Sequence, residues 1–219
     1  MRYKFLLFLL IATTAKTENS ILHLHDTKVL SDATKHYDSQ GATRIKRWLD
    51  FLKSNSSESD WRKIHLVNNF MNKHIQYKDD IKHWGKNDYW ATPLETLGMG
   101  AGDCEDYVIA KYFTLLSLGI SEDKIRFMYV RKINVNQPHM VLIYFEQPNQ
   151  IPFVLDNFTS KVTTADQRND LTPIYSFNGS GLWLAKAKGL GNQLRTSPGV
   201  SSWAAMIERI EKGQVRPTP

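Results

Sequence analysis

The chain predicts an α+β fold in which a helical N-terminal lobe packs on an antiparallel β-sheet. Three features lead there. Apolar residues recur at helical spacing through the first half and culminate in a strongly apolar helix candidate that opens at Cys104. From Ile125 onward, short apolar or β-branched runs alternate with turn residues, as antiparallel strands do. At 219 residues, 42% hydrophobic and 11% aromatic, the chain can bury the core of one two-lobed domain, and neither a disordered nor a collagen-like chain has this composition.

Residues 1–15 read as a signal peptide: Arg2 and Lys4, an apolar run over 5–12, then Thr13, Thr14 and Ala15, with cleavage expected after Ala15. The run is too short to span a bilayer as a helix, so no membrane insertion is expected after cleavage. Residues 16–42 are polar and without clear period, predicting an N-terminal arm with short turns; His23 and His25 form only a weak metal signal. The domain is expected over 43–219. Ile45, Trp48, Leu49 and Leu52 mark a helix that ends at the cluster Ser54, Asn55, Ser56, Ser57. Residues 59–75, capped by Ser59, predict a second helix with Trp61, Ile64, His65, Asn68 and Asn72 along one stripe.

Residues 76–102 are rich in turn formers and aromatics, with Trp84 and Trp90 as candidates for a groove wall or for core packing. Within them Thr92, Pro93 and Glu95 have the spacing of a capping box at the start of a short helix. Residues 104–118 form the buried central helix, stopped by Gly119 and followed by the acidic turn Ser121, Glu122, Asp123. Strands are predicted over 125–130, 140–145 and 153–155, with one or two more in 175–184 and a last helix over 201–211. A cleft should lie where the helical part meets the sheet.

The formal net charge is +6, but the basic residues come as scattered pairs such as Arg62–Lys63 and Arg131–Lys132 among acids. They read as a solvated surface rather than a nucleic-acid site. A single cysteine in an exported chain is unusual. Cys104 can be an inert small hydrophobe, an intermolecular disulfide partner or a nucleophile. Its position favours chemistry: Asp103 falls at the N-cap and Cys104 at the first helical residue, where the macrodipole and unpaired amides stabilise a thiolate and an oxyanion. Of the seven histidines only His139 follows the cysteine, at the start of a buried strand. Asp156 closes the next strand, where a hairpin would bring its carboxylate to the imidazole.

The runs Trp90–Ala91–Thr92–Pro93, Gly102–Asp103–Cys104–Glu105–Asp106–Tyr107, His139–Met140–Val141–Leu142 and Val154–Leu155–Asp156–Asn157 resemble the bacterial transglutaminase-like cysteine proteinases. The resemblance covers residues 61–157. It implies a papain-like or transglutaminase-like fold and a periplasmic cysteine endopeptidase that clips the N-terminal region of a large cell-surface adhesin and so promotes biofilm dispersal. An inner-membrane cyclic-di-GMP receptor would act as its inhibitor. By this resemblance Cys104 is the nucleophile, His139 the general base and Asp156 the orienting acid. Asp103 and Glu105 match calcium ligands, with Asp106 a third and Asp123 a further candidate.

Physical chemistry also points to calcium. Three carboxylates flanking one thiol would raise its pKa and leave a poor nucleophile, a field that a bound divalent cation cancels. An all-oxygen donor set suits Ca2+ rather than zinc. Two rival functions stand beside hydrolysis: transglutaminase-type acyl transfer, and a non-catalytic calcium-binding periplasmic module.

Overall fold

The computed structural model describes residues 20–21, 23–186 and 189–215; the expected signal peptide lies outside them. The helical half comes first. Helix α1 spans Thr27–His36, α2 spans Ser39–Asn55 and α3 spans Asp60–His74. The extended arm expected before residue 43 is therefore corrected to a helix and the first turn of the next. The signal was in the caps and in a short apolar stripe, Val29, Leu30 and Ala33, that packs on the core. The Asp26 side chain accepts from the amides of Lys28 and Val29 at 2.8 and 3.1 Å, and that of Asp38 accepts from Gly41 at 2.7 Å.

After α3 come the two-residue strand β1 (Gln76–Tyr77), the single-turn α4 (Asp80–His83) and α5 (Pro93–Met99). The capping box at α5 is formed, with Thr92 Oγ1 accepting from Glu95 N and Glu95 Oε2 accepting from Thr92 N. Gly100, at φ 71°, ends α5 in the left-handed region and turns the chain into β2 (Ala101–Gly102), which pairs parallel with β1. Helix α6, Cys104–Ser117, follows at once. The pairing of β1 with β2 thus fixes the entry to α6.

The second half is a seven-stranded antiparallel sheet: β3 (Ile125–Lys132), β4 (Gln137–Tyr144), β5 (Phe153–Asp156), β6 (Thr159–Thr164), β7 (Leu171–Asn178), β8 (Gly181–Leu184) and β9 (Asn192–Arg195), in the order β6-β5-β4-β3-β7-β8-β9. Helix α7, Ser201–Glu211, returns over it. The edge strands β6 and β9 were not legible in the sequence. Of β6 only Val162 is buried, and all four residues of β9 are exposed, so neither strand carries an apolar face.

Helix α6 is buried between the helical lobe and one face of the sheet. Its Tyr112 and Phe113 meet Phe127 of β3 and Trp203 of α7, and Phe177 of β7 stacks on Phe127 at 4.9 Å. Trp48 of α2 is fully buried and donates its Nε1–H to Thr114 Oγ1 at 2.9 Å. Trp90 belongs to this core, stacked on Phe177, whereas Trp84 is half-buried against His83 and Tyr89. The other sheet face is apolar as well: Met128, Val130, Val141, Ile143 and Val154 are buried beneath Ala165, Leu171, Ala185 and Leu190. No helix among the described residues is long and apolar enough to cross a membrane.

Candidate active site

Cys104 is the first residue of α6 and is partly buried. Asp103 stands at the N-cap position with extended backbone, but its side chain makes no capping hydrogen bond. The thiol donates to Glu105 Oε2 at 2.7 Å. Burial pushes the pKa of Cys104 well up, and the charges of Glu105 and Asp103 push the same way. The backbone N–H of Met140, close to the sulfur, opposes them. That amide belongs to the residue after His139, so the start of α6 abuts the start of β4.

His139 and Asp156 are buried, and His139 Nε2 lies 2.9 Å from Asp156 Oδ1. They reach one another because β4 and β5 are antiparallel neighbours, with Leu142 opposite Leu155. Burial alone would raise the pKa of Asp156. The hydrogen bond and charge of His139, with the hydrogen bond from Arg168, outweigh it and hold the carboxyl well below the usual range. An ionised carboxylate only accepts, so the imidazole donates from Nε2 and keeps Nδ1 as its proton acceptor. The Phe158 amide also donates to Asp156 Oδ1, at 3.1 Å. Its half-exposed ring lies 5.1 Å from His139 and 5.7 Å from Tyr77.

A buried polar network holds the turn that follows Asp156. Asn72 of α3 donates to the Asp156 carbonyl at 2.8 Å, and Asn68 donates to the carbonyls of Thr159 and Ser160. Asn68 Oδ1 accepts in turn from Lys111 Nζ at 2.7 Å. Lys111 is fully buried in α6, and desolvation pulls its pKa down to about 7 against the pull of Asp156. Asn68→Ala would remove the partner of the Lys111 amine and the donor to the Ser160 carbonyl, while Thr159 keeps its bond from Asn72 at 3.0 Å. It is expected to cost about 3 kcal/mol, seen as a lower urea midpoint at unchanged slope.

The acids divide differently from the expectation. Asp80, Asp103 and Asp106 bring one carboxylate oxygen each within 4.8 Å of one another. Asp80 Oδ2 accepts from the Tyr89 amide at 2.5 Å and Asp106 Oδ1 from the Ala91 amide at 2.7 Å. Asp80 Oδ1, Asp103 Oδ1 and Asp106 Oδ2 are buried and have no hydrogen-bond partner. Three carboxylates that approach one another, each with a buried oxygen that has no partner, fit a hard divalent cation. Burial raises the pKa of all three, that of Asp80 to about 6, and their mutual repulsion and Glu105 add to it. Gly102 makes room for the cluster, since a Cβ there would lie 2.6 Å from Asp106 Cβ and Oδ2.

A family model, the bacterial transglutaminase-like cysteine proteinases (BTLCP), matches residues 36–175, which contain every residue of this site. The chain belongs to this family. No curated protein matches it. Among solved structures, Legionella pneumophila LapG is similar at 35% identity and a TM-score of 0.72, over 84% of this chain and 96% of that one. An EGTA-treated form of that protein matches at 35% identity and a TM-score of 0.74 over the same shares of the two chains. A calcium-bound form matches at 35% identity and 0.72, over 83% of this chain and 97% of that one. These matches support a transglutaminase-like cysteine protease, and the fold is that of LapG.

Within this transglutaminase-like cysteine proteinase, Asp123 is a correction to the expected ligand set. It lies in the 3-10 turn Glu122–Lys124 beyond the far end of α6, roughly 20 Å of helix from Cys104, where its charge acts on Tyr112 and Arg126. Glu105 lies on the thiol rather than in the three-carboxylate group. Asp80 and Arg168 were missed. Asp80 sits in a turn-rich stretch without periodicity, and Arg168 follows a polar edge strand. Neither position carries a local signal, because each reaches the site through tertiary folding.

Proposed function

We propose that this proteinase is a calcium-dependent periplasmic endopeptidase that cleaves the N-terminal region of a large cell-surface adhesin and so promotes biofilm dispersal. Its residues 1–15 direct export, and an inner-membrane cyclic-di-GMP receptor restrains it. The substrate, receptor and compartment rest on the family resemblance. The chemistry rests on one observation: the chain's single cysteine opens the helix that packs on β4, with its sulfur near the amide of Met140, next to the buried His139–Asp156 pair.

Cys104 sulfur attacks the scissile carbonyl while its proton passes to His139 Nδ1, forming the S–C bond and an oxyanion. Backbone amides at the start of α6 point toward that charge. As the C–N bond breaks, His139 returns the proton to the departing amine. His139 then takes a proton from water, whose oxygen attacks the thioester, and the thiol regains a proton as the acid leaves. Asp156 keeps the Nε2–H tautomer and offsets the imidazolium charge. Asp80, Asp103 and Asp106 would hold Ca2+, which when bound supplies positive charge against the carboxylate field at Cys104. LapG is solved in calcium-bound and EGTA-treated forms, which supports the choice of ion.

Incubating the mature chain with the N-terminal part of an adhesin from the same cell, in calcium and in EGTA, tests this reading. Mass spectrometry should find one pair of new termini in calcium only. Transfer of the acyl group to an added amine, without a hydrolysed acid product, would replace hydrolysis by acyl transfer.

A further inference from the structure

Arg168 is held as a fork against Asp156. Its Nε and one terminal nitrogen, Nη2, bond the two oxygens of Asp170, each at 2.8 Å, and Nη2 also reaches Asp156 Oδ2 at 2.7 Å. Its backbone is pinned on both sides: Arg168 N donates to the Ala165 carbonyl, and the Leu171 amide donates to the Arg168 carbonyl. The two oxygens of Asp156 are therefore divided, Oδ2 to the guanidinium and Oδ1 to His139 and the Phe158 amide. Charged groups around this carboxylate are Arg168, His139 and Lys111, with Asp170 beyond the guanidinium.

We infer that Arg168 is a positioning residue of this site: it fixes the Asp156 carboxylate so that Oδ1 faces His139 Nε2. This rests on Cys104, His139 and Asp156 being the reacting set. Asp170 is the brace, because bidentate pairing orients the planar fork in a way that a lysine point charge cannot reproduce. Without the fork Oδ2 loses its charged partner and Oδ1 is held by the Phe158 amide and His139 alone, so the carboxylate tilts more easily and the imidazole orientation that the proton transfers need is loosened.

Arg168→Ala is expected to lower kcat about 10- to 100-fold at unchanged KM, the range for losing one charge-assisted hydrogen bond. The acid limb of kcat/KM should move to higher pH, since removing a cation beside the His139–Asp156 pair favours its protonated forms. Arg168 also lines a cavity of about 360 Å3 behind the sheet, with Met128, Val141 and Val154, so a small cation can enter once the side chain is gone. Guanidinium chloride, well below denaturing concentration, should restore part of the rate, and Arg168→Lys should recover less than the wild-type rate.

A substrate-free readout separates this role from proteolysis itself. The His139 Nε2–H proton resonance should shift in Arg168→Ala whether or not any peptide is cut. If Arg168→Ala does not fold, Asp170→Asn, a change at a half-exposed carboxylate, should shift the same resonance and lower kcat by about threefold. Wild-type kcat, pH profile and resonance in these variants would overturn the inference. So would a loss of rate that tracks a fall in melting temperature and does not respond to guanidinium.

Discussion

Cys104→Ala is expected to abolish cleavage while leaving the thermal melt close to that of the wild type. The sulfur is the only thiol in the chain, so no neighbour can replace it as nucleophile. Removal of a catalytic nucleophile costs on the order of 10⁶ in kcat. Stability should move by less than about 1 kcal/mol, because the residue is partly exposed and alanine is a good helix former at the same position. The substitution also removes a thiol that donates to Glu105 but leaves the buried His139–Asp156 pair and the three orphaned carboxylate oxygens intact. A Cys104→Ala chain that still cuts its substrate would remove the assignment of the nucleophile.

The second large effect concerns the acidic cluster. Chelation by EGTA should lower cleavage more than tenfold, and added calcium should restore it. Asp106→Asn should do the same at ordinary calcium levels, since Asp106 is fully buried and its Oδ2 has no other partner. Calcium at about a hundred times its Kd should stabilise the folded chain by about 2.7 kcal/mol. The melt should rise accordingly in the wild type and much less in Asp106→Asn or Asp80→Asn. The sign follows from desolvation: carboxylates buried without partners are destabilising, and a cation that binds only the folded chain offsets them. Wild-type turnover indifferent to EGTA, with a melt that calcium does not move, would overturn the metal reading.

The sequence carried the order of the architecture and the placement of the central groups because both follow from local physics. The apolar run after Cys104 can only be a buried helix, Gly102 and Asp103 mark its start, and the capping box at Thr92 needs nothing beyond four residues. Likewise His139 and Asp156 stand at a strand start and a strand end, and one antiparallel register is enough to bring them together. What was not legible depends on contacts that skip along the chain. The helix Thr27–His36 carries only a short apolar stripe, Val29, Leu30 and Ala33, after its Asp26 cap, and the edge strands β6 and β9 face solvent. Asp80 enters the acidic cluster only because its own turn is tied to the Tyr89 amide. Asp123, adjacent to the central helix in sequence, is a helix-length away in space.

The most direct measurement is alkylation of the calcium-loaded protein by iodoacetamide near neutral pH, followed by intact mass and by residual cleavage activity. One adduct, mapped to Cys104, should form quickly and cleavage should fall in proportion to its yield, while His139→Ala should alkylate far more slowly. A fully alkylated protein that still cleaves, or a Cys104 that reacts at the same rate with and without His139, would contradict the pairing of that sulfur with that imidazole.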